Sequence, residues 1–487
     1  MELNSVKELP VDAVETDVLV VGAGPTGLAL AVDLARRGVR ALVVERADAL
    51  FPGSRGKGLQ PRTLEVMDDL GVLDAVRAAG GPYPMGMIWR DGVRQGEHRM
   101  IDEAEPTEAE PYRGTWMLPQ WRTQEILHAR LRELGEDVAF GRELTGLAQD
   151  AGGVTASFTS GPPVRARYAV AADGGRSAVR RALGIGMRGE SVDPHPTLVA
   201  DVRITGLDRD HWHLFPPADG AQLMAICPLA GTEDFQVLAQ FPADLTPDPS
   251  PEGLRKVVAT RSHLTPDAVT EVRWASVFRA RTALADRFRE GRVLLAGDAA
   301  HLHSPAGGQG LNTSVQDAYN LGWKLAAVLG GGARAELLDS YEAERRPVAA
   351  EMLGLSTRVH RGEVRRGEAT GQLGLGYRDS ALTEETRTAP AKDALHAGDR
   401  APDGRPGGVR LFDAFRGPHW TLLAVGTDTR LPTFDGDLVR TLRTPAYEAY
   451  GTGVFLVRPD GYVGWAGDTA VGAAGYLARV AGATGRD

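Results

Sequence analysis

The chain has 487 residues with a single cysteine, Cys227, and 55 basic against 64 acidic side chains give a net charge of −9. One thiol excludes an internal disulfide, a cysteine-based zinc or iron–sulfur site and a CxxC redox pair. The acidic balance argues against nucleic acid or an anionic membrane as partner.

The length suggests about three domains. Glycine is in excess, 60 residues against a usual share of ~7%, so the positions of the glycines matter. Residues 1–16 lack the basic start and apolar stretch of a signal peptide, and a cytoplasmic placement is expected. The apolar run 18–35 is interrupted by Gly22, Gly24, Pro25 and Gly27. It reads as a buried strand (17–22) turning into a helix (25–37), not as a membrane span. A second buried strand (40–45) completes a βαβ unit. Helical patterns follow at 61–80 and 119–135, with short strands within 138–171. The runs 197–204, 211–215, 221–227, 235–241 and 271–279 predict an antiparallel sheet. A buried strand at 291–297 leads to a long helix at 311–329, and a charged helical stretch covers about 336–367. Residues 368–410, rich in Gly, Pro, Asp and Arg, read as a linker. A small domain with an Asp-Gly hairpin ends the chain.

Three motifs carry chemistry. Gly22-Ala-Gly24-Pro25-Thr26-Gly27 follows a strand and opens a helix, and Glu45 ends the next strand. That is a dinucleotide fingerprint: the glycines allow a tight turn, approach to a pyrophosphate and close helix packing, and the carboxylate accepts from a ribose diol. An acid there repels a 2′-phosphate, so FAD or NAD fits better than NADP. The second motif is Asp173-Gly174-Gly175-Arg176-Ser177, with Arg180 one turn further on. The third is Gly297-Asp298-Ala299-Ala300-His301, continued by Pro305 to Asn312. Asp298 suits a ribityl hydroxyl. The backbone N–H groups of the Gly-rich loop, leading into a helix N-terminus, suit the negative charge that a reduced flavin carries. His301 and His303 lack an acidic cluster beside them. They are expected to be structural or solvent-facing, and no metal is expected.

The trio GAGPTG…E, DGGRSAVR and GDAAH…PAGGQGLN, followed by QDAYNLGWKLA, resembles the group A flavoprotein aromatic hydroxylases over about residues 16–350. These are single-component FAD monooxygenases of the para-hydroxybenzoate hydroxylase type. Tyr377–Ser380, Gly398–Pro402 and Leu456–Gly461 are similar to a subgroup that tailors polyketides and antibiotics and has a thioredoxin-like C-terminal domain.

The resemblance implies an α/β fold with a Rossmann-like FAD-binding domain built from 16–85, 120–185 and 280–360. An antiparallel β-sheet substrate domain (86–119 and 186–279) is inserted into it. A linker (361–394) and a thioredoxin-like tail without CxxC (395–487) follow, and removal of the tail is expected to leave FAD binding in place. For the site, it implies that Gly22, Gly24, Pro25, Thr26, Gly27 and Glu45 hold the ADP half, with Arg46 beside the acid. Arg55, in the Ser54–Gly58 loop, is the flavin contact, and Lys57 is atypical there. Gln120, Asp173 and Asp298 serve the ribityl and phosphate region; Gln124 stands where the family often has Glu. Pro305, Gly308, Gln309, Gly310, Leu311 and Asn312 lie along the pyrimidine side of the flavin, with the backbone of Pro305 and Gly308 as the catalytic groups.

The implied reaction uses NADPH or NADH, bound transiently, and O₂. It passes through a flavin C4a-hydroperoxide to hydroxylate a polycyclic, polyketide-like aromatic. Trp212, Leu214, Ala225 and Cys227 are candidate substrate contacts, with plain core packing as the competing reading. Baeyer–Villiger insertion or epoxidation by the same flavin chemistry remains an alternative, as does a non-oxygenating FAD oxidoreductase. A Trp-x-Trp-x-Ile-Pro halogenase signature is absent. The expected partner is a small aromatic molecule, and the protein is expected to be a monomer or homodimer.

Overall fold

The computed structural model describes residues 13–102, 104–217, 222–483 and 485–486. Its organising element is the strand Val14–Val21, whose last four residues are buried. It pairs in parallel with Ala41–Val44 on one side and Val164–Ala171 on the other, and Val164–Ala171 pairs in parallel with Val293–Leu295. β-Branched residues suit this doubly covered sheet. The helices Pro25–Ala35 and Gly310–Leu329 are packed against the sheet and against each other through largely buried faces.

A second eight-stranded sheet has the order His301–Leu302, Val269–Ala285, Met187–Ile204, Phe235–Gln240, Met224–Pro228, His211–Phe215, Met85–Arg90 and Val93–His98. It differs from the expectation of a purely antiparallel sheet, because Met85–Arg90 pairs in parallel with His211–Phe215. More than a hundred residues separate the two strands, so the crossover a parallel pair needs is available. The predicted strand 221–227 begins at Met224, and Ala221 lies outside the described residues.

The tail builds a five-stranded sheet in the order Glu384–Glu385, Val463–Gly467, Gly453–Val457, Trp420–Val425, Val439–Thr444. Trp420–Val425 runs parallel to Val439–Thr444 and antiparallel to Gly453–Val457, and the helix Ala473–Ala481 follows, a thioredoxin-like arrangement.

Two helical readings and the linker reading shift. The pattern at 61–80 is two helices, Pro61–Asp69 and Leu73–Ala79. The charged helix ends at His360 and carries Pro347 in its interior. The segment read as a linker is partly internal: Thr370, Gln372, Leu375 and Tyr377 are buried. Its polar composition concealed this because the buried polar groups are satisfied by distant partners. Gln372 bonds to Gln309 and Gln316, and the Tyr377 hydroxyl accepts from Arg345.

Candidate functional site

The three Gly-rich motifs, far apart in sequence, leave the ends of three adjacent parallel strands. Val21 is in register with Ala171, and Ala171 with Leu295, so the turns open side by side at the carboxyl edge of the sheet, where α/β proteins bind ligands. The turns also interlock. Gly22 has φ +107°, and a Cβ there would lie 2.4 Å from the Ala172 carbonyl oxygen. Gly297 has φ +63°, and a Cβ there would lie 2.5 Å from Thr26 Oγ1. Any larger residue at either position is both strained and obstructed. Gly24 is different: no atom lies within 4 Å of its would-be Cβ. The helix beginning at Pro25 has no side-chain cap at that position. Open space before uncapped N–H groups is what a pyrophosphate requires.

Around this edge, Glu45 accepts from the Ala23 backbone N–H at 2.9 Å and the Ala47 N–H at 3.1 Å, and its remaining lone pairs stay free for a ribose diol. Arg46 is exposed beside it. Asp173 spends one oxygen on the N–H groups of Ala178 (2.7 Å) and Val179 (3.2 Å), while its other oxygen is buried without a partner. Burial raises its pKa, against those bonds and one from Ser177. Arg180 ties the second motif to the third through the Ala299 carbonyl, 2.9 Å away.

Asp298 stays accessible to solvent yet sits deep in the molecule. The surrounding protein pushes its carboxyl up, opposed by His301 and Arg55. An accessible group in such surroundings lies in a concavity. Arg55, also exposed, lies over the Phe51 ring at 5.1 Å. The loop behind it rests on the inserted sheet: Phe51 meets Trp274 edge-on at 5.2 Å, and Gly53 leaves no room for a side chain against the same indole. Gln120 uses its carboxamide oxygen to accept from Gly56 N–H at 3.1 Å. Gln124 is buried and bonds to the Phe51 carbonyl.

In the third motif, Pro305 is exposed and Gly308 is left-handed (φ +64°). The side chains of Gln309 and Asn312 turn inward. Gln309 donates to the carbonyls of Gly307 and Thr370. Asn312 accepts from Gln60 N–H at 2.8 Å and donates to the carbonyls of Gly58 and Gly308. These two residues shape the loop, and only their backbone is left for a ligand. The methyl of Leu311 lies 3.2 Å from a would-be Cβ at Gly56. Beneath the loop, His301 is fully buried and meets Asp317 at 2.5 Å, Arg345 meets Asp317 at 2.8 Å, and Asp317 also accepts from Gly297 N–H. His303 contacts His301 at 3.0 Å, and burial holds its pKa well below the usual histidine range. Of the pair, His301 is fully buried and His303 half-buried. These residues fit FAD: a carboxylate for ribose, room and donors for a pyrophosphate, an unpartnered buried carboxylate oxygen at Asp173, and a glycine loop capped by a helix N-terminus.

Trp212, Leu214, Ala225 and Cys227 meet in one apolar cluster with Met117, and Tyr83, Met100, Ala230 and Leu238 pack around it. Strand pairing explains the meeting, since Leu214 is opposite Ala225. Burial pushes the Cys227 thiol up to about 11, so it is unreactive. A cavity of about 610 Å³ opens where Met117 and Ala230 meet Arg209 and Pro228. No motif in the sequence singles out Tyr83 or Asp201, and Lys57, atypical for the family, stands in the same loop as Arg55.

The FAD binding domain family matches residues 15–356, and the aromatic-ring hydroxylase C-terminal family matches residues 393–484. A flavin-dependent monooxygenase of Mycobacteroides abscessus is 43% identical over 477 residues, covering 95% of this chain and 99% of its own. The 12-dehydrotetracycline 5-monooxygenase/anhydrotetracycline 6-monooxygenase of Streptomyces rimosus is 36% identical over 496 residues, covering 92% and 95%. The solved ternary complex of aklavinone-11 hydroxylase with FAD and aklavinone superposes with a TM-score of 0.82 at 30% identity, covering 97% of this chain and all of the other. Among the described residues, no helix is long and apolar enough to cross a membrane. With three motifs joined at one sheet edge and both family matches spanning nearly the whole length, the chain belongs to the FAD-dependent aromatic-ring hydroxylases, a family of monooxygenases.

Proposed function

We propose that this protein hydroxylates a polycyclic, electron-rich aromatic compound of polyketide type, consuming NAD(P)H and O₂. When bound, FAD supplies the redox chemistry of the net reaction: NAD(P)H, O₂, a proton and the arene become NAD(P)⁺, water and the hydroxyarene. Glu45 accepts from the adenosine ribose, and Gly24 with the helix start at Pro25 takes the pyrophosphate. Asp173 and Asp298 bond hydroxyls along the linker between the two halves. Arg55 and the backbone of 305–310 flank the ring system, and the N-terminal dipole of Gly310–Leu329 favours negative charge there. Trp212, Leu214, Ala225 and Cys227 form the dry wall against which the arene lies, excluding water that would divert the oxidant. The chain has one dinucleotide fingerprint, so the nicotinamide reductant binds transiently elsewhere.

The observation that carries this reading is the meeting of three Gly-rich turns at one sheet edge, with the loop that carries Arg55 and Lys57 set against an apolar cluster of the inserted sheet; a cavity of about 610 Å³, a size suited to several fused rings, adjoins that cluster at Met117 and Ala230. The test is NAD(P)H oxidation by the holoprotein with a panel of polycyclic phenols. The reading predicts at least one that accelerates oxidation and yields a ring-hydroxylated product. A ring-expanded lactone or an epoxide would replace hydroxylation with the neighbouring oxygenations. No acceleration by any of them would overturn it.

A further inference from the structure

Lys57, in the same loop as Arg55, bonds through its ammonium to the inserted sheet. Its carbonyl accepts from Leu118 N–H at 2.9 Å, which anchors the loop. Its ammonium lies 4.5 Å from the centre of the Trp212 ring, the largest side chain of the apolar cluster, and donates to Gln236 Oε1. Gln236 in turn donates to the Ser54 carbonyl. The Trp212 indole N–H is the second observation: the residue is 7% exposed, and its Nε1 has no hydrogen-bond partner. Tyr83 packs on Trp212 at 5.4 Å, and its hydroxyl accepts from Arg366 at 2.9 Å.

The charged and titratable groups around Lys57 are Cys227, Arg366 and Asp201. The thiol stays neutral, Arg366 adds positive charge, and Asp201 is buried on the neighbouring strand without a partner at bonding geometry. Burial lowers the Lys57 pKa, with Arg366 adding to the fall and Cys227 and Asp201 opposing it. Among the described residues no carboxylate meets the ammonium at ion-pair distance, and Asp201 acts on it only from further off. A tie between the loop and Gln236 alone needs no charge, and burying an ammonium is costly.

We propose that Lys57 and the Trp212 indole N–H form an anion-binding end of the substrate chamber that takes an ionised phenolic oxygen of the arene. This rests on the hydroxylase reading above. Ionisation releases the phenol proton to water and leaves the charge on the oxygen, held by the ammonium. The ring then carries more electron density for an electrophilic oxygen.

The test uses the FAD-loaded protein titrated with 2-hydroxyanthraquinone and with its methyl ether, 2-methoxyanthraquinone. The flavin spectrum reports binding, and the phenolate absorbance band reports ionisation across a pH series. In the wild type, the bound phenol should ionise at a pH about one unit below the free compound, tenfold in acid dissociation constant. Lys57→Gln keeps a donor for Gln236 and removes the charge. It should abolish that shift and weaken phenol binding about tenfold, with the methyl ether bound as before, while Lys57→Arg should restore most of both. Flavin content checks the fold of each variant, and Trp212→Phe, which keeps the ring and loses the N–H, should retain only part of the shift. A Lys57→Gln protein that still ionises the bound phenol as the wild type does overturns the proposal. A wild-type flavin that responds to neither compound overturns the polycyclic-phenol reading itself, and this proposal with it.

Discussion

Asp201 shows how one residue links the chamber to stability. It is 2% exposed, and burial raises its pKa to about 6 from an ordinary 3.8, against smaller pulls from Ser54, Lys57 and Gln236. A raised carboxyl is better accommodated when protonated, so its contribution to stability is intact below pH 3.8 and is lost as pH climbs through about 6. The gap corresponds to about 3 kcal/mol. Asp201→Asn should therefore stabilise the protein by up to that amount at neutral pH, with the gain vanishing at pH 3.8. Urea unfolding at the two pH values checks this, and an equal gain at both would contradict it. Asp201 was invisible in the sequence: TLVADVRI reads as an ordinary buried strand, and only its pairing to Phe235–Gln240 and the proximity of Lys57 give the carboxylate a meaning. The glycines of the fingerprint were legible because backbone geometry leaves them few substitutes. The positions of Gln309 and Asn312 were legible too, but not their inward orientation.

Among the elements, the helices Gly310–Leu329 and Asp339–His360 are joined by fully buried charge. Arg345 donates to Asp317, to the Thr313 carbonyl and to the Tyr377 hydroxyl. Asp317 holds His301 and Gly297 N–H below the third motif. Burial opposes the Asp317 charge, but His301 and Arg345 outweigh it and keep its pKa low. Arg345→Met leaves part of a buried carboxylate uncompensated. It should cost about 3–5 kcal/mol and weaken FAD binding, because the Gly297 turn loses its support. Chemical unfolding and flavin titration measure the two effects, and a variant as stable as the wild type would show that the pair is dispensable. The helices themselves were readable from their apolar period. Their clamp was not, since its members are separated by sixteen to thirty-two residues and more. The segment 361–394 was misread for the same reason: Gln372 and Tyr377 look like linker residues until their partners on other elements are known.

In the whole molecule, the tail is fastened to the FAD-binding part by buried ions. Arg458 donates to both oxygens of Glu344 and to Asp460, and Glu344 also meets Lys324 at 2.7 Å, all fully buried. Arg62 donates to the Asp460 carbonyl, Arg400 pairs with Glu65, and Arg410 pairs with Asp68. The expectation that the tail can be removed without loss of FAD therefore changes. A chain ending at residue 394 strips Glu344 of Arg458, removes Arg400 from Glu65, which keeps only Arg62, and leaves Asp68 without Arg410 and Arg416. It should aggregate or unfold well below the full chain in a thermal melt. A truncated protein that melts like the intact one and keeps its flavin would show the tail to be a passive appendage. The central claim, that the sheet edge and the apolar chamber together hydroxylate an aromatic ring, is tested most directly by single turnover under ¹⁸O₂ with NAD(P)H and an accelerating polycyclic phenol. The account predicts a product whose new ring hydroxyl carries one ¹⁸O atom. Reductant consumption that ends only in hydrogen peroxide, or a new hydroxyl derived from water, would contradict it.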